Sequence, residues 1–230
     1  MAFYDGAHYE GSIIAQDPEV DLALIKIDHT PREVAVFRSA VRLGEDLGTF
    51  GFPMTDLLTK SGNFSRGSIT GLAGIEDEPS RFQIQAPVQG GNSGGPVVDA
   101  NGSVIGIVVS GPRRSLYSVD DMPENTNFAI RSDVARKFAA SHGIKVRFTA
   151  KELGRKTDWT QVAIRSQAMS VLLYCDQGYG DVPDAHLPNP LQSKLMSSNT
   201  MRRKFWSWII VAIVAIGFSV LFMFRSQLGF

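Results

Sequence analysis

Apolar residues along the chain fall mostly into short runs, separated by breaks rich in Gly, Pro and Asp. Ser12–Ala15 is one such run, and Asp17-Pro18-Glu19 is a turn. Val20–Asp28 follows, with Leu22, Leu24 and Lys26 on one face and Ala23, Ile25 and Ile27 on the other. Apolar residues on both faces predict a strand buried on both sides as far as Lys26. A loop rich in Gly, Ser and Thr leads into a short strand at Gly67–Leu72, and Ile75–Arg81 reads as an acidic turn. Phe82–Val88 is apolar. Val97-Val98, a turn at Asp99–Gly102 and Val104–Val109 predict a further pair of strands. Gly111–Asn125 is a long polar loop before the strand Asn127–Ile130.

Helical spacing is rare. Ser132–His142 carries Val134, Ala135, Phe138 and Ala139 on one stripe, with Ser132 as the cap, Asp133 in the first turn and Gly143 as the stop. A second, shorter helix around Trp159, Val162 and Ala163 is predicted from the capping pair Asp158 and Gln161. Ser170–Cys175 reads as a buried strand. Gly178–Thr200, with Pro183, Pro188 and Pro190, reads as a linker.

Phe205–Phe224 is uncharged throughout and has no polar face. At about 1.5 Å per residue, a helix of that length covers the roughly 30 Å hydrocarbon core of a bilayer. A transmembrane helix is therefore expected, with Trp206 and Trp208 at the interface and the lipid bilayer as a partner. Arg202, Arg203 and Lys204 before the run, against Arg225 after it, place the preceding domain on the cytoplasmic side. The expected organisation is a domain at 1–143, an appended segment at 144–177, a linker at 178–204 and the membrane span at 205–224.

Composition narrows the function. The 230 residues hold 23 basic and 23 acidic side chains, a balance that argues against nucleic acid as a partner. The single cysteine, Cys175, permits no internal disulfide and reads as a small core residue. That cysteine usage suits a bacterial or intracellular setting. No clustered His, Cys and carboxylate pattern suggests a metal, and no cofactor is expected.

Candidate chemistry centres on Gly90-Gly-Asn-Ser-Gly-Gly-Pro96. A serine flanked by glycines keeps its hydroxyl uncovered. The glycines let a substrate backbone approach and let successive N–H groups converge on one point. The plainer reading is a glycine-rich loop between two strands. Gly-Asn-Ser-Gly-Gly-Pro between strands resembles the nucleophile loop of trypsin-like serine proteases, and the Asn before the serine points to the HtrA/Deg-like branch. The segment Asp5–Ile27 is similar to the stretch that carries the triad aspartate in that branch. Leu43–Pro53 resembles the corner where the chain passes between two barrels, and Asn127–Ile130 resembles a strand of the specificity pocket. The resemblance covers about Ala2–Gly143.

The resemblance implies an all-β, double β-barrel fold with a closing helix. Together with the expected membrane span, it implies a membrane-anchored serine endopeptidase, or a portion of one, acting on polypeptide substrates. Ser93 is the nucleophile by that match, and Asp21 is the triad aspartate, although Asp21 could simply end a turn. The backbone N–H groups of Gly91 and Ser93 would form the oxyanion hole. Pro87 would be the pocket floor, with walls near Val109, Ser110, Gly111, Asn127, Phe128, Ala129 and Ile130. No acid stands among these residues, so the implied preference is for an apolar residue before the cut bond.

The chain departs from the family in one respect. The family's general base is a histidine in a Thr-x-x-His-type motif ahead of the aspartate. His8, His29, His142 and His186 lie in no such motif, and the early strands of the first barrel are absent too. Either the reading frame extends upstream of Met1, or the chain is a pseudoprotease that binds peptides or acts as a scaffold at the membrane without cutting them.

Overall fold

The computed structural model describes residues 2–3, 9–31, 33–53, 62–109, 126–149, 158–173, 210–214 and 220–223. They form two β-sheets and two helices. In chain order the strands are β1 (Ala2–Phe3), β2 (Gly11–Asp17), β3 (Leu22–Ile27), β4 (Val36–Arg38), β5 (Asp46–Gly51), β6 (Asn63–Gly71), β7 (Arg81–Gln85), β8 (Pro96–Val98), β9 (Val104–Val109) and β10 (Thr126–Arg131). Helix α1 (Ser132–Ser141), β11 (Arg147–Thr149), helix α2 (Trp159–Ala168), β12 (Ser170–Leu173), β13 (Ile210–Val214) and β14 (Val220–Met223) follow.

One sheet closes on itself. Its antiparallel order runs β10-β7-β6-β5-β8-β9, and β9 pairs back onto β10, so no edge is left within this ring. Strands β4 and β11 add in parallel on the β9 side. Leu47, Ile69, Phe82, Ile84, Val97, Ile105, Val108 and Ala129 fill the barrel interior. Gly106 and Gly67 are glycine because the Phe82 ring and the Gln85 carbonyl, respectively, occupy the space of a Cβ.

The other sheet has the order β1-β12-β13-β14-β3-β2 and does not close among the described residues. Strand β3 is buried at every position except Lys26, matching the two apolar faces read from the sequence. Its Leu22 and Leu24 join Val98, Val104, Ile107, Val109 and Ile130 of the barrel in one core, together with Ala135 and Phe138 of α1 and Val162 of α2. This shared core holds the open sheet against the barrel wall.

Helix α1 forms where predicted, and Gly143 ends it at φ +76°. The N-terminal cap differs. Arg131 occupies the capping position without a side-chain bond, while Ser132 lies inside the helix and donates from Oγ to the Arg38 carbonyl at 2.6 Å. A long-range acceptor thus took the hydroxyl that local pattern assigned to the cap. In α2, Asp158 caps as expected, accepting from the Thr160 N–H at 3.3 Å.

The largest departure concerns Phe205–Phe224. Residues 210–214 and 220–223 are strands, not turns of a membrane helix. Strand β13 pairs with β12 and β14 pairs with β3. Among the described residues no helix is long and apolar enough to cross a membrane. The physical reason is that an unbroken apolar run has no period of its own, so it suits a strand buried on both faces as well as a helix. Strands β12 and β3 each offer an edge that needs a partner.

Candidate active site

The loop 90–95 connects β7 to β8 and carries Ser93. Every turn of it is fixed by backbone bonds. Asn92 N–H donates to the Gln89 carbonyl at 3.0 Å, and Gly95 N–H to the Asn92 carbonyl at 3.0 Å. Gly94 N–H donates to the Val108 carbonyl at 2.9 Å, and Val108 N–H returns to the Gly95 carbonyl at 2.8 Å, which ties the loop to β9. Gly91 and Gly94 have φ of +102° and +80°, values that explain glycine at both. Ser93 retains 8% of its surface, and Asn92 is buried beside it.

The end of β5 backs this loop. Phe52 N–H donates to the Gly91 carbonyl at 3.1 Å. A Cβ at Gly91 would collide with the Phe52 carbonyl, and one at Gly95 with the Phe50 carbonyl. On the other side, a Cβ at Gly51 would collide with the Asn92 side chain. Two backbone segments therefore approach within a distance that only glycine allows. The sequence reading placed Leu43–Pro53 at a corner between barrels and missed this contact. The glycines at 48 and 51 within a phenylalanine-bearing strand were the available signal.

Asp21 closes the turn after β2 and heads β3. The Asp17 carboxylate accepts from the Glu19 N–H at 2.8 Å and the Val20 N–H at 3.3 Å, folding the chain back. Asp21 then adopts φ +65°, uncommon for any residue but glycine, and is 6% exposed. Since Leu22 belongs to the core shared with Val98 and Val109, Asp21 stands at the seam between the open sheet and the barrel.

Of the expected pocket residues, Asn127, Phe128, Ala129 and Ile130 lie on β10 and Val109 ends the neighbouring strand β9. Asn127 donates from Nδ2 to the Ala86 carbonyl at 2.9 Å, joining the start of β10 to the backbone beside Pro87. Phe128 stands opposite Val109, and Ala129 opposite both Phe82 and Val108. Phe128, Ala129, Ile130 and Val109 are buried. Ser110 and Gly111 lie outside the described residues, as do His8 and His186. His142 is engaged at the end of α1, its Nδ1 at 2.9 Å from the Phe138 carbonyl, and a carbonyl can only accept there. His29 packs on the Tyr9 ring at 4.4 Å between centroids. Among the described residues no group of His, Cys, Asp and Glu is arranged to hold a metal ion.

Comparison with known proteins adds to this geometry. The family model of the trypsin-like peptidase domain matches residues 1–107. An HtrA-type protease solved with a decapeptide superposes with a TM-score of 0.50 at 27% identity, covering 63% of this chain and 44% of its own. The serine protease Do-like HtrB of Bacillus subtilis is 31% identical over 144 residues, 58% of this chain and 30% of HtrB. Over part of its length the chain is similar to HtrA-like serine proteases. The uncharacterized protein y4bJ of Sinorhizobium fredii is 39% identical over 167 residues, covering 72% of this chain and 26% of y4bJ. The chain thus spans under a third of the length of either curated relative.

Proposed function

We propose that this chain is the serine-bearing portion of an HtrA-like endopeptidase. The observation that carries this reading is the Gly-Asn-Ser-Gly-Gly-Pro loop, pinned to β9 and β5 by its own backbone. In the proposed reaction the Ser93 hydroxyl adds to a peptide carbonyl as its proton passes to a histidine base. The N–H groups of Gly91 and Ser93 stabilise the resulting oxyanion. Asp21 orients the base and offsets its charge when protonated. Its position at the seam between sheet and barrel, in a backbone conformation held by the Asp17 turn, supports that role.

None of the four histidines of this chain is assigned as the base. In this reading the base is a histidine of a Thr-x-x-His-type motif, which the residues of this chain do not supply. A pocket built from Pro87, Val109 and Asn127–Ile130 would favour cleavage after aliphatic residues, because no acid stands among them to select Lys or Arg. The absent base also favours a second reading, a pseudoprotease that binds extended peptides and performs no chemistry. We also propose that Phe205–Phe224 enters a bilayer as a single helix when one is present, with the serine-bearing domain on the cytoplasmic side.

Labelling by a fluorophosphonate probe tests the enzyme reading. With a histidine-bearing segment joined ahead of residue 1, a single labelled residue is expected at Ser93. Ser93→Ala should abolish labelling and lower turnover by a factor on the order of 10⁶. Cut sites mapped in an unfolded substrate should follow aliphatic residues. Labelling that survives Ser93→Ala would remove the proposed nucleophile, a majority of cuts after Lys or Arg would remove the pocket assignment, and peptide binding without labelling would favour the pseudoprotease.

A further inference from the structure

Aromatic and aliphatic side chains connect the C-terminal α2–β12 unit to the serine loop. Leu172 of β12 is 4% exposed and packs in one cluster with Phe50 and Phe52, which flank Gly51 at the end of β5. The two phenylalanine rings meet edge-on at 5.4 Å. Phe64 leans on the same cluster and faces Trp159 of α2 at 6.2 Å. The unit thus grips the end of β5 at two points, Leu172 directly and Trp159 through Phe64. The backbone of that same stretch touches the serine loop, through the Phe52 N–H bond to Gly91 and the Phe50 carbonyl against Gly95.

We propose that Leu172 is a positioning residue for the serine loop, so that the α2–β12 unit sets the geometry of the oxyanion-hole peptide through Phe50 and Phe52. This rests on the proteolytic reading above only for its consequence in catalysis; the mechanical coupling is independent of it. Close packing makes the coupling stiff. A methyl group removed from a filled core is felt by its neighbours, because the gap cannot be closed without shifting them. A shift of Phe52 moves its N–H, and with it the Gly91 carbonyl and the adjoining peptide that would face an oxyanion. Neither glycine can buffer the movement with a side chain.

Val171 supplies the internal control. It is fully buried and next to Leu172, but alternation along a strand turns it to the opposite face of β12. Hydrogen exchange on the full chain reads the effect without any need for turnover. Leu172→Ala should speed exchange about tenfold or more at the amides of Phe52 and Gly91–Gly95, while the β7–β10 pairing keeps its protection. Leu172→Met should restore near-native exchange. Val171→Ala should lower the melting temperature without this local change. If Leu172→Ala unfolds the chain, Leu172→Val gives the same comparison with a smaller expected change. The proposal is overturned if the loop amides do not respond to any Leu172 variant, or respond equally to Val171→Ala. Fluorophosphonate labelling in parallel, on the protein with a histidine-bearing segment joined ahead of residue 1, separates the two claims: coupled exchange with an unreactive Ser93 there would refute the protease reading and leave the positioning role standing.

Discussion

Arg38 is a cation almost without contact with water, 2% exposed at the end of β4. Burying such a charge alone is prohibitive, and the chain surrounds it with acceptors and anions. Its guanidinium meets Glu45 Oε1, and its Nε lies 2.8 Å from Asp99 Oδ2. Asp99 Oδ1 in turn accepts from the N–H groups of Asn101 at 2.8 Å and Ser103 at 2.9 Å, which closes the β8–β9 turn. Removing one partner of such a network leaves the others charged and dry. Arg38→Met is expected to cost about 3–5 kcal/mol. Urea denaturation of the full chain would show this as a lower midpoint with an unchanged slope, and a loss under about 1 kcal/mol would mean that water reaches the site after substitution.

At the scale of elements, the serine loop and the end of β5 act as one unit because their backbones touch. Gly95→Ala drives a methyl group into the Phe50 carbonyl, and neither segment can yield without breaking bonds to β9 or β6. Gly90, at the start of the same loop, faces open space, with nothing within 4 Å of where a methyl group would stand. Gly95→Ala should therefore destabilise by about 2 kcal/mol or more, and Gly90→Ala should stay within about 0.5 kcal/mol of the parent. Thermal denaturation of the two variants side by side checks the contrast, and equal losses would show that the close approach is not what selects glycine at 95.

For the whole molecule, the deciding question is how the open sheet is completed. Strands β13 and β14 fill the space between β12 and β3, and Val220 stands opposite Lys26. The same run, uncharged from Phe205 to Phe224, has the length and composition of a membrane span. A cysteine at each of 26 and 220, with Cys175→Ser, should form a disulfide in water. Adding vesicles of phosphatidylcholine and phosphatidylglycerol should suppress it as the segment transfers. Absence of the crosslink in water would remove the strand pairing. A crosslink that persists in vesicles, with no segment protected from added protease, would remove the proposed bilayer state.

How far the sequence reached follows from the range of the forces involved. Strand β3, the Asp17 turn, the β8–β9 pair, α1 and the Asp158 cap were legible because alternation, turn residues and caps act over a few neighbours. The glycine loop around Ser93 was legible as a tight turn for the same reason: its whole pattern lies within seven consecutive residues. What only tertiary structure decided involves partners far apart in the chain. Ser132 left its capping role for a carbonyl 94 positions away. Gly91 and Gly95 owe their identity to β5 as well as to their own turn. Leu172 reaches the serine loop through Phe52, a contact that no local period encodes. The apolar run near the C-terminus shows the division most plainly. Its sequence determines that it must leave water, since it carries no charge and no polar face. Its neighbours determine how for residues 210–214 and 220–223, since β12 and β3 each offer backbone N–H and C=O groups for pairing.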